Sequence, residues 1–274
     1  METDRYHPKN GLNHLSGREW IKFTRTWFVH DPPRRSADEM GHPAKYPEGV
    51  VEPFIEFFTR VGQVVLDPFA GVGSTLVAAD RLERVSVGVE IVPEFAQVAQ
   101  ERLAASPRAH LLVGDSRRLR EHLAGVGIEQ VDFTMTSPPY WDMLSKSRGG
   151  VLSVHKKRRQ KGLAIEYSAQ PENLGNLTDY RSFLQVMGDI LGEVHRVTRP
   201  GGYMVVVVQN MRTPEGEVQP YAWDLTATVR ERGWLFQGER IWCQDNKALG
   251  IWGYPSVFVP NYHHHYCLIF RRRT

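Results

Sequence analysis

Cysteine is almost absent from this chain: Cys243 and Cys267 are the only two in 274 residues. That excludes a disulfide framework and a cysteine-built metal cluster, and it sets the expectation of a reducing, cytosolic setting with no resident metal. Long apolar runs are missing too. Nothing approaches the roughly 20 residues a membrane helix needs, and the opening METDRYHPKN is polar and charged rather than a secretory signal. No internal repeat is visible. Strong charge of one sign is also lacking. The formal net charge is +3, so a polyanion would have to be held by local basic patches rather than by a field of the whole protein. What remains is an ordinary globular composition, at a length that suits one large domain with insertions.

Residues 1–41 are mixed and proline-bearing. They read as an irregular N-terminal arm with one short ordered piece around WIKFTRTWFVH. Val51, Phe54, Ile55 and Phe58 then recur at helical spacing and predict a helix over about 47–59. QVVLDPFAGVGSTLVAADRLER reads as strand, glycine loop, helix. VSVGVEIV and PEFAQVAQERLAA follow as strand and helix, AHLLVGD as a third strand and VDFTMTS as a fourth. Strands alternating with helices of this length imply parallel β-α-β units. The period is lost over 144–178, a polar, basic, glycine-bearing stretch that reads as a long insertion. It returns with Phe183, Met187, Ile190, Leu191 and Val194 on one helical stripe, stopped by Pro200-Gly201-Gly202. YMVVVV is then a buried strand, YAWDLTATVRERGW a further helix, and LFQGERIWC and HHHYCLIFRR two late strands. The last pair suggests an antiparallel hairpin at the sheet edge.

DPFAGVGST lies directly between a strand and a helix. Gly71 and Gly73 let the backbone approach a ligand, and the helix start offers free N–H groups. Alone, such a G-x-G is a tight turn. Here Glu90, flanked by Ile91, ends the next strand at the distance where a carboxylate takes ribose hydroxyls. Asp115, flanked by Ser116, ends the third strand and could accept from an adenine amine. The candidate cofactor residues are therefore Asp67, Phe69, Gly71, Gly73, Ser74, Thr75, Glu90, Ile91, Asp115 and Ser116. The third glycine of a dinucleotide fingerprint and the lysine of a phosphate loop are both missing. A nucleoside cofactor without phosphate fits better, and S-adenosylmethionine is one.

The fourth strand runs into TSPPYWDM. Two prolines end the strand and stiffen the corner. DPFAGVGST together with TSPPY resembles the amino-methyltransferases that modify exocyclic amines of DNA bases. HPAKYPEGVVEPFIEFF is similar to the segment preceding their glycine loop, and NYHHHYCLIFRR to their final strand. The resemblance spans most of 40–140 and 180–272. It implies a Rossmann-like, S-adenosylmethionine-dependent α/β fold, with a mixed seven-stranded sheet ending in an antiparallel hairpin, as one domain over 42–274.

In such enzymes the base amine is a poor nucleophile, because its lone pair is delocalised into the ring. The resemblance makes Ser137 Oγ and the Pro138 carbonyl the acceptors that grip it, Pro139 the stiffener, and Tyr140 a stacking partner for an extruded base. From the same resemblance, His42 and Lys45 are expected to approach the methionine end of the cofactor, and Trp141 to stack on the base or wall the pocket. Serine in first position resembles the cytosine-N4 subgroup. Adenine-N6 methylation is the close alternative, and an RNA methyltransferase or a non-catalytic DNA-binding regulator the more distant ones. Cytosine-C5 chemistry needs a Pro-Cys nucleophile that neither cysteine supplies.

The chain departs from many relatives by placing the cofactor half first and by showing no separate recognition domain. Target reading then falls to 144–178, whose HKKRRQK run makes Lys156, Lys157, Arg158, Arg159 and Lys161 candidate phosphate contacts. NMRTPEGEVQP and DNKALGIWGYPS are secondary candidates. The implied partner is double-stranded DNA, in a bacterial or archaeal cytoplasm. A cognate restriction endonuclease and a homodimer stay open.

Overall fold

The computed structural model describes residues 7–31, 46–104, 106–139, 174, 177, 179–213 and 216–274. Its centre is built from β2 (Val64–Asp67), α3 (Ser74–Arg81), β3 (Val85–Glu90), α4 (Pro93–Leu103), β4 (Ala109–Val113), α5 (Leu119–Gly125) and β5 (Val131–Thr136). α2 (Glu48–Phe58) precedes them. α6 (Tyr180–Val197), β6 (Thr198–Val208), the short β7 (Met211–Arg212) and β8 (Val218–Gln219), α7 (Tyr221–Glu231), β9 (Leu235–Cys243) and β10 (His264–Arg271) follow. β2 pairs in parallel with β3 and β5, β3 with β4, and β5 with β6. β10 runs antiparallel between β6 and β9.

Both faces of the sheet are covered, so its strands are nearly continuous apolar runs. Alternation still sorts them. Met204, Val206 and Val208 join Leu66 in the core under α5, α6 and α7. Val205 and Val207 join Val65, Phe133 and Met135 under α2 and α3. The stripe Phe183, Met187, Ile190, Leu191 and Val194 of α6 is buried throughout. α6 ends at Val197, ahead of Pro200. The Pro-Gly-Gly step lies instead inside β6, where Gly201 N donates to Arg272 O (3.1 Å) and Arg272 N to Gly202 O (2.9 Å).

The sheet has eight strands rather than the expected seven. The additional strand comes from the N-terminal arm, where α1 (Gly17–Phe23) leads into β1 (Trp27–Val29). β1 pairs in parallel with β9, Trp27 facing Ile241 and Val29 facing Cys243. It therefore takes the sheet edge that the late hairpin was expected to occupy. Three residues carry no readable period, and the pairing is secured by side chains distant in sequence. The Arg240 guanidinium lies 4.1 Å from the Phe23 ring and 4.7 Å from that of Phe28, and its Nε donates to Arg25 O (2.9 Å). Burial pushes Arg240 down to about 10, a cost that cation–π contact partly offsets. Trp242 Nε1 donates to His30 O (2.8 Å), and the Trp242 ring stacks on His265 at 4.7 Å between centroids. Among the described residues, no three His, Cys, Asp or Glu side chains could share a metal ion. No helix among the described residues is long and apolar enough to cross a membrane.

Candidate active site

The carboxyl ends of β2, β3 and β5 open onto one cleft of about 830 Å³, counting its mouth. Beneath it lies Asp67, the last residue of β2 and only 1% exposed. Its carboxylate accepts from four groups: Phe69 N (3.0 Å), Thr75 Oγ1 (2.6 Å), Thr136 Oγ1 (2.6 Å) and Tyr46 OH (3.1 Å). Tyr46 OH also bonds Thr75 Oγ1. Burial raises the Asp67 pKa against those four bonds. The knot ties the glycine loop, the first turn of α3 and the last residue of β5 to a single carboxylate. Gly73 turns the loop at φ 82°, and a Cβ there would come 3.0 Å from Ala99 Cβ.

Glu90 ends β3 and faces the cleft. Its two oxygens accept from Gly71 N (2.7 Å) and Val92 N (2.9 Å). Burial outweighs these bonds and pushes its pKa up to about 7. Each oxygen keeps a lone pair for an incoming hydroxyl. Asp115 behaves in the opposite way. Burial favours its neutral form, yet Arg117 donates to it from N (2.9 Å) and Nε (2.7 Å), so its pKa falls below the ordinary 3.8. Ser74 Oγ, on a side chain 3% exposed at the start of α3, has no hydrogen-bond partner among the described residues and borders the cleft. Ser116 is committed to the Pro68 carbonyl.

β5 delivers Ser137, Pro138 and Pro139 to the same cleft. Ser137 Oγ donates to Val207 O on β6 (3.2 Å). With its one proton placed there, both its lone pairs stay available to accept N–H groups from a ligand. Thr136 bonds Asp67 and Ser137 bonds β6, so the double-proline corner is fixed on two sides.

The family model for DNA methylases matches residues 4–101 and 131–273. The chain belongs to the DNA methylase family. Among curated proteins it is similar to the Type II methyltransferase M.BglII of Bacillus subtilis, at 29% identity over 37% of this chain and 28% of that one. It also resembles M.ScaI of Streptomyces caespitosus, at 37% identity over 28% of this chain and 25% of that one. The matched stretches thus span little more than a quarter of those relatives. Among solved structures it is similar to TrmN from Thermus thermophilus, at TM-score 0.47 and 14% identity over 82% of this chain and 48% of that one.

The methylase cleft brings together Phe69, Gly71, Ser74, Glu90, Ile91, Asp115, Ser116, Ser137, Pro138 and Pro139 of the sequence candidates. Asp67, Gly73 and Thr75 do not line it. They shape the loop from below, and Asp67 has its acceptor positions taken by protein donors. His42, Lys45, Tyr140, Trp141, Lys156, Lys157, Arg158, Arg159 and Lys161 lie outside the described residues. So does nearly all of the basic 144–178 stretch, but Leu174 near its end is buried against the cleft. Sequence reasoning missed Tyr46, whose hydroxyl completes the Asp67 knot. Its only signal was a lone tyrosine just before the α2 helix. It also missed Val92 and Phe95, which form an apolar wall with Ile91.

The lining suits S-adenosylmethionine. Among the described lining residues there is no Lys or Arg, so a polyphosphate would find no counter-charge, whereas a cationic sulfonium needs none. Glu90 offers acceptors for ribose hydroxyls, the wall offers a surface for adenine, and the orphaned Ser74 Oγ at a helix start offers a donor for the amino-acid carboxylate. Cys267 is buried and its thiol is pushed up to about 12 by that burial, which removes it as a nucleophile.

Proposed function

We propose that this protein is a DNA methyltransferase acting on the exocyclic N4 amine of cytosine. The observation that carries the reading is the meeting of the Ser137-Pro138-Pro139 corner with Glu90 and the glycine loop in one cleft. When bound, S-adenosylmethionine supplies an electrophilic methyl group on its sulfonium. The chain's own residues then hold the other reactant. Ser137 Oγ and the Pro138 carbonyl accept the two amine hydrogens of an extruded base and turn its nitrogen lone pair toward the donor. Holding two reactants in line can be worth roughly several kcal/mol. No covalent enzyme intermediate is needed.

A serine whose proton is already given to Val207 O is a neutral acceptor. Such an acceptor can grip either base amine, and the choice of cytosine rests on the resemblance of S-P-P-Y to the N4 subgroup. Adenine N6 remains the competing base. Expression in a methylation-free host, followed by modification-sensitive genome sequencing and nucleoside mass spectrometry, returns base and motif together. N4-methylcytosine is expected, and N6-methyladenine would overturn the choice of base. Ser137→Ala is expected to lower transfer roughly a hundredfold while leaving donor affinity within about threefold of the parent.

A further inference from the structure

Between β9 and β10 the chain leaves the sheet over residues 244–263. Here Leu249, Ile251, Trp252, Tyr254, Val257 and Phe258 make up six of the twelve exposed large apolar residues in the described structure. Phe258 is 87% exposed, Ile251 85% and Tyr254 81%. Scattered apolar residues on a surface need no account, but a cluster of this size marks a contact site.

The loop is built rather than loose. Asn261 Oδ1 accepts from Gly250 N (2.9 Å) and Trp252 Nε1 (3.1 Å), and its Nδ2 donates to Gly250 O (3.0 Å). At the tip, Ser256 N (2.9 Å) and Val257 N (2.7 Å) both donate to Gly253 O. Gly253 has φ 71°, and a Cβ there would come 2.2 Å from Val257 O. Lys247 closes the root, its Nζ donating to Tyr262 O (2.7 Å). From Ala248 to His265 the sequence holds no acidic residue, lysine or arginine. The result is a braced, uncharged tip with apolar side chains aimed into solvent.

Its place in the fold narrows the partner. Tyr266 of β10 pairs with Val208, and Val206 pairs with Thr136. The loop therefore springs from the same sheet edge as Ser137, about 10 Å away by two strand spacings. Gln209 Nε2, donating to His264 O (2.6 Å), ties the end of β6 to the start of β10 at the root of the loop. On the reading of the protein as a DNA methyltransferase, a duplex must reach the edge that carries Ser137, and the root of the loop stands on that edge.

We propose that residues 248–260 are a duplex-opening wedge, with Ile251, Tyr254 and Phe258 entering the base stack beside the target and replacing the contacts that the departing base gives up. Apolar side chains of this kind lower the cost of unstacking a base step. The proposal rests on the reading of the protein as a base-extruding DNA methyltransferase.

The test uses the full chain, S-adenosylmethionine and a duplex carrying the motif returned by genome sequencing, with 2-aminopurine next to the target base. The parent protein should raise the probe's fluorescence several-fold. Ile251→Ala/Phe258→Ala should abolish most of that rise and lower transfer to the paired duplex roughly thirtyfold. Transfer to the same duplex with the target base mismatched, and so already unpaired, should fall no more than about threefold. Phe258→Trp should restore stacking and most of the activity, and Gly253→Ala, which deforms the tip, should behave as the double variant does.

Equal losses on paired and mismatched duplexes would overturn the wedge, and so would variants that match the parent. A drop in oligomeric size by light scattering, with fluorescence unchanged, would assign the loop to a second copy instead. If the parent itself binds S-adenosylmethionine yet methylates no DNA, the functional reading fails and the wedge with it. If the parent methylates and only the variants fail to differ, the wedge alone falls.

Discussion

Two neighbouring strands of this sheet, β2 and β3, each end in a buried carboxylate, and the two ends do different work. Asp67 closes β2 under the glycine loop, accepting from four protein donors with no face toward the cleft. Glu90 closes β3 one strand away. It accepts from two backbone amides and keeps lone pairs toward the cleft. Both carboxyls are raised by burial. The number of protein donors, rather than burial, separates a residue that organises the site from one placed to meet a ligand. The same comparison is why Glu90, with lone pairs toward the cleft, is the one we propose to meet S-adenosylmethionine.

The largest effect should come from Asp67→Ala. It strands donors on Phe69 and Thr136 in the interior and leaves Tyr46 and Thr75 only each other and the Met135 carbonyl, and is expected to cost about 3 kcal/mol of stability in urea unfolding. An Asp67→Ala protein of parental stability that had lost only donor affinity would break the contrast, because Asp67 would then be a ligand contact.

Glu90→Gln should do the reverse. It keeps the shape but turns an NH2 toward either Gly71 N or Val92 N, so stability should fall by about 1 kcal/mol, well short of the Asp67→Ala loss, while S-adenosylmethionine affinity by calorimetry drops roughly thirtyfold.

The smallest and most specific effect is in pH. A carboxyl raised from an ordinary 4.5 to about 7 favours the fold when protonated. The ligand-free protein therefore keeps that contribution below about pH 4.5 and loses it as pH rises through about 7. Ribose hydroxyls donate better to the carboxylate, so donor affinity should move the other way. It should rise up to about tenfold per pH unit below 7 and level off above it, with one proton released on binding at the acid end. A flat profile in the parent, or the same slope in Glu90→Gln, would show that Glu90 does not meet the donor.

Much of the central fold was legible in the chain because its signals are local. The glycine loop between β2 and α3, Pro93 at the start of α4, and the apolar stripe of α6 each follow from backbone freedom or helical period over a few residues. The carboxylates at strand ends were legible for the same reason, since a parallel β-α-β unit returns each strand end to one edge. The saturation of Asp67 was not legible, because local sequence shows an acid beside a glycine loop but not how many donors converge on it. Tyr46, Thr75 and Thr136 come from three separate elements. The eighth strand was hidden likewise: β1 is too short for a period, and Arg240, which anchors its arm, lies more than two hundred residues away in sequence.

By itself the sequence determined the α/β character, the order of cofactor loop before catalytic corner, and the residue types needed to meet a nucleoside and an amine. Those depend on dihedral preferences and on spacing along the chain. Only the tertiary structure decided which acid faces the cleft, where the proton of Ser137 goes, and that the apolar loop 248–260 stands on the catalytic edge. Those depend on contacts between distant segments, and burial together with hydrogen-bond saturation is a property of the packed chain, not of any stretch of it.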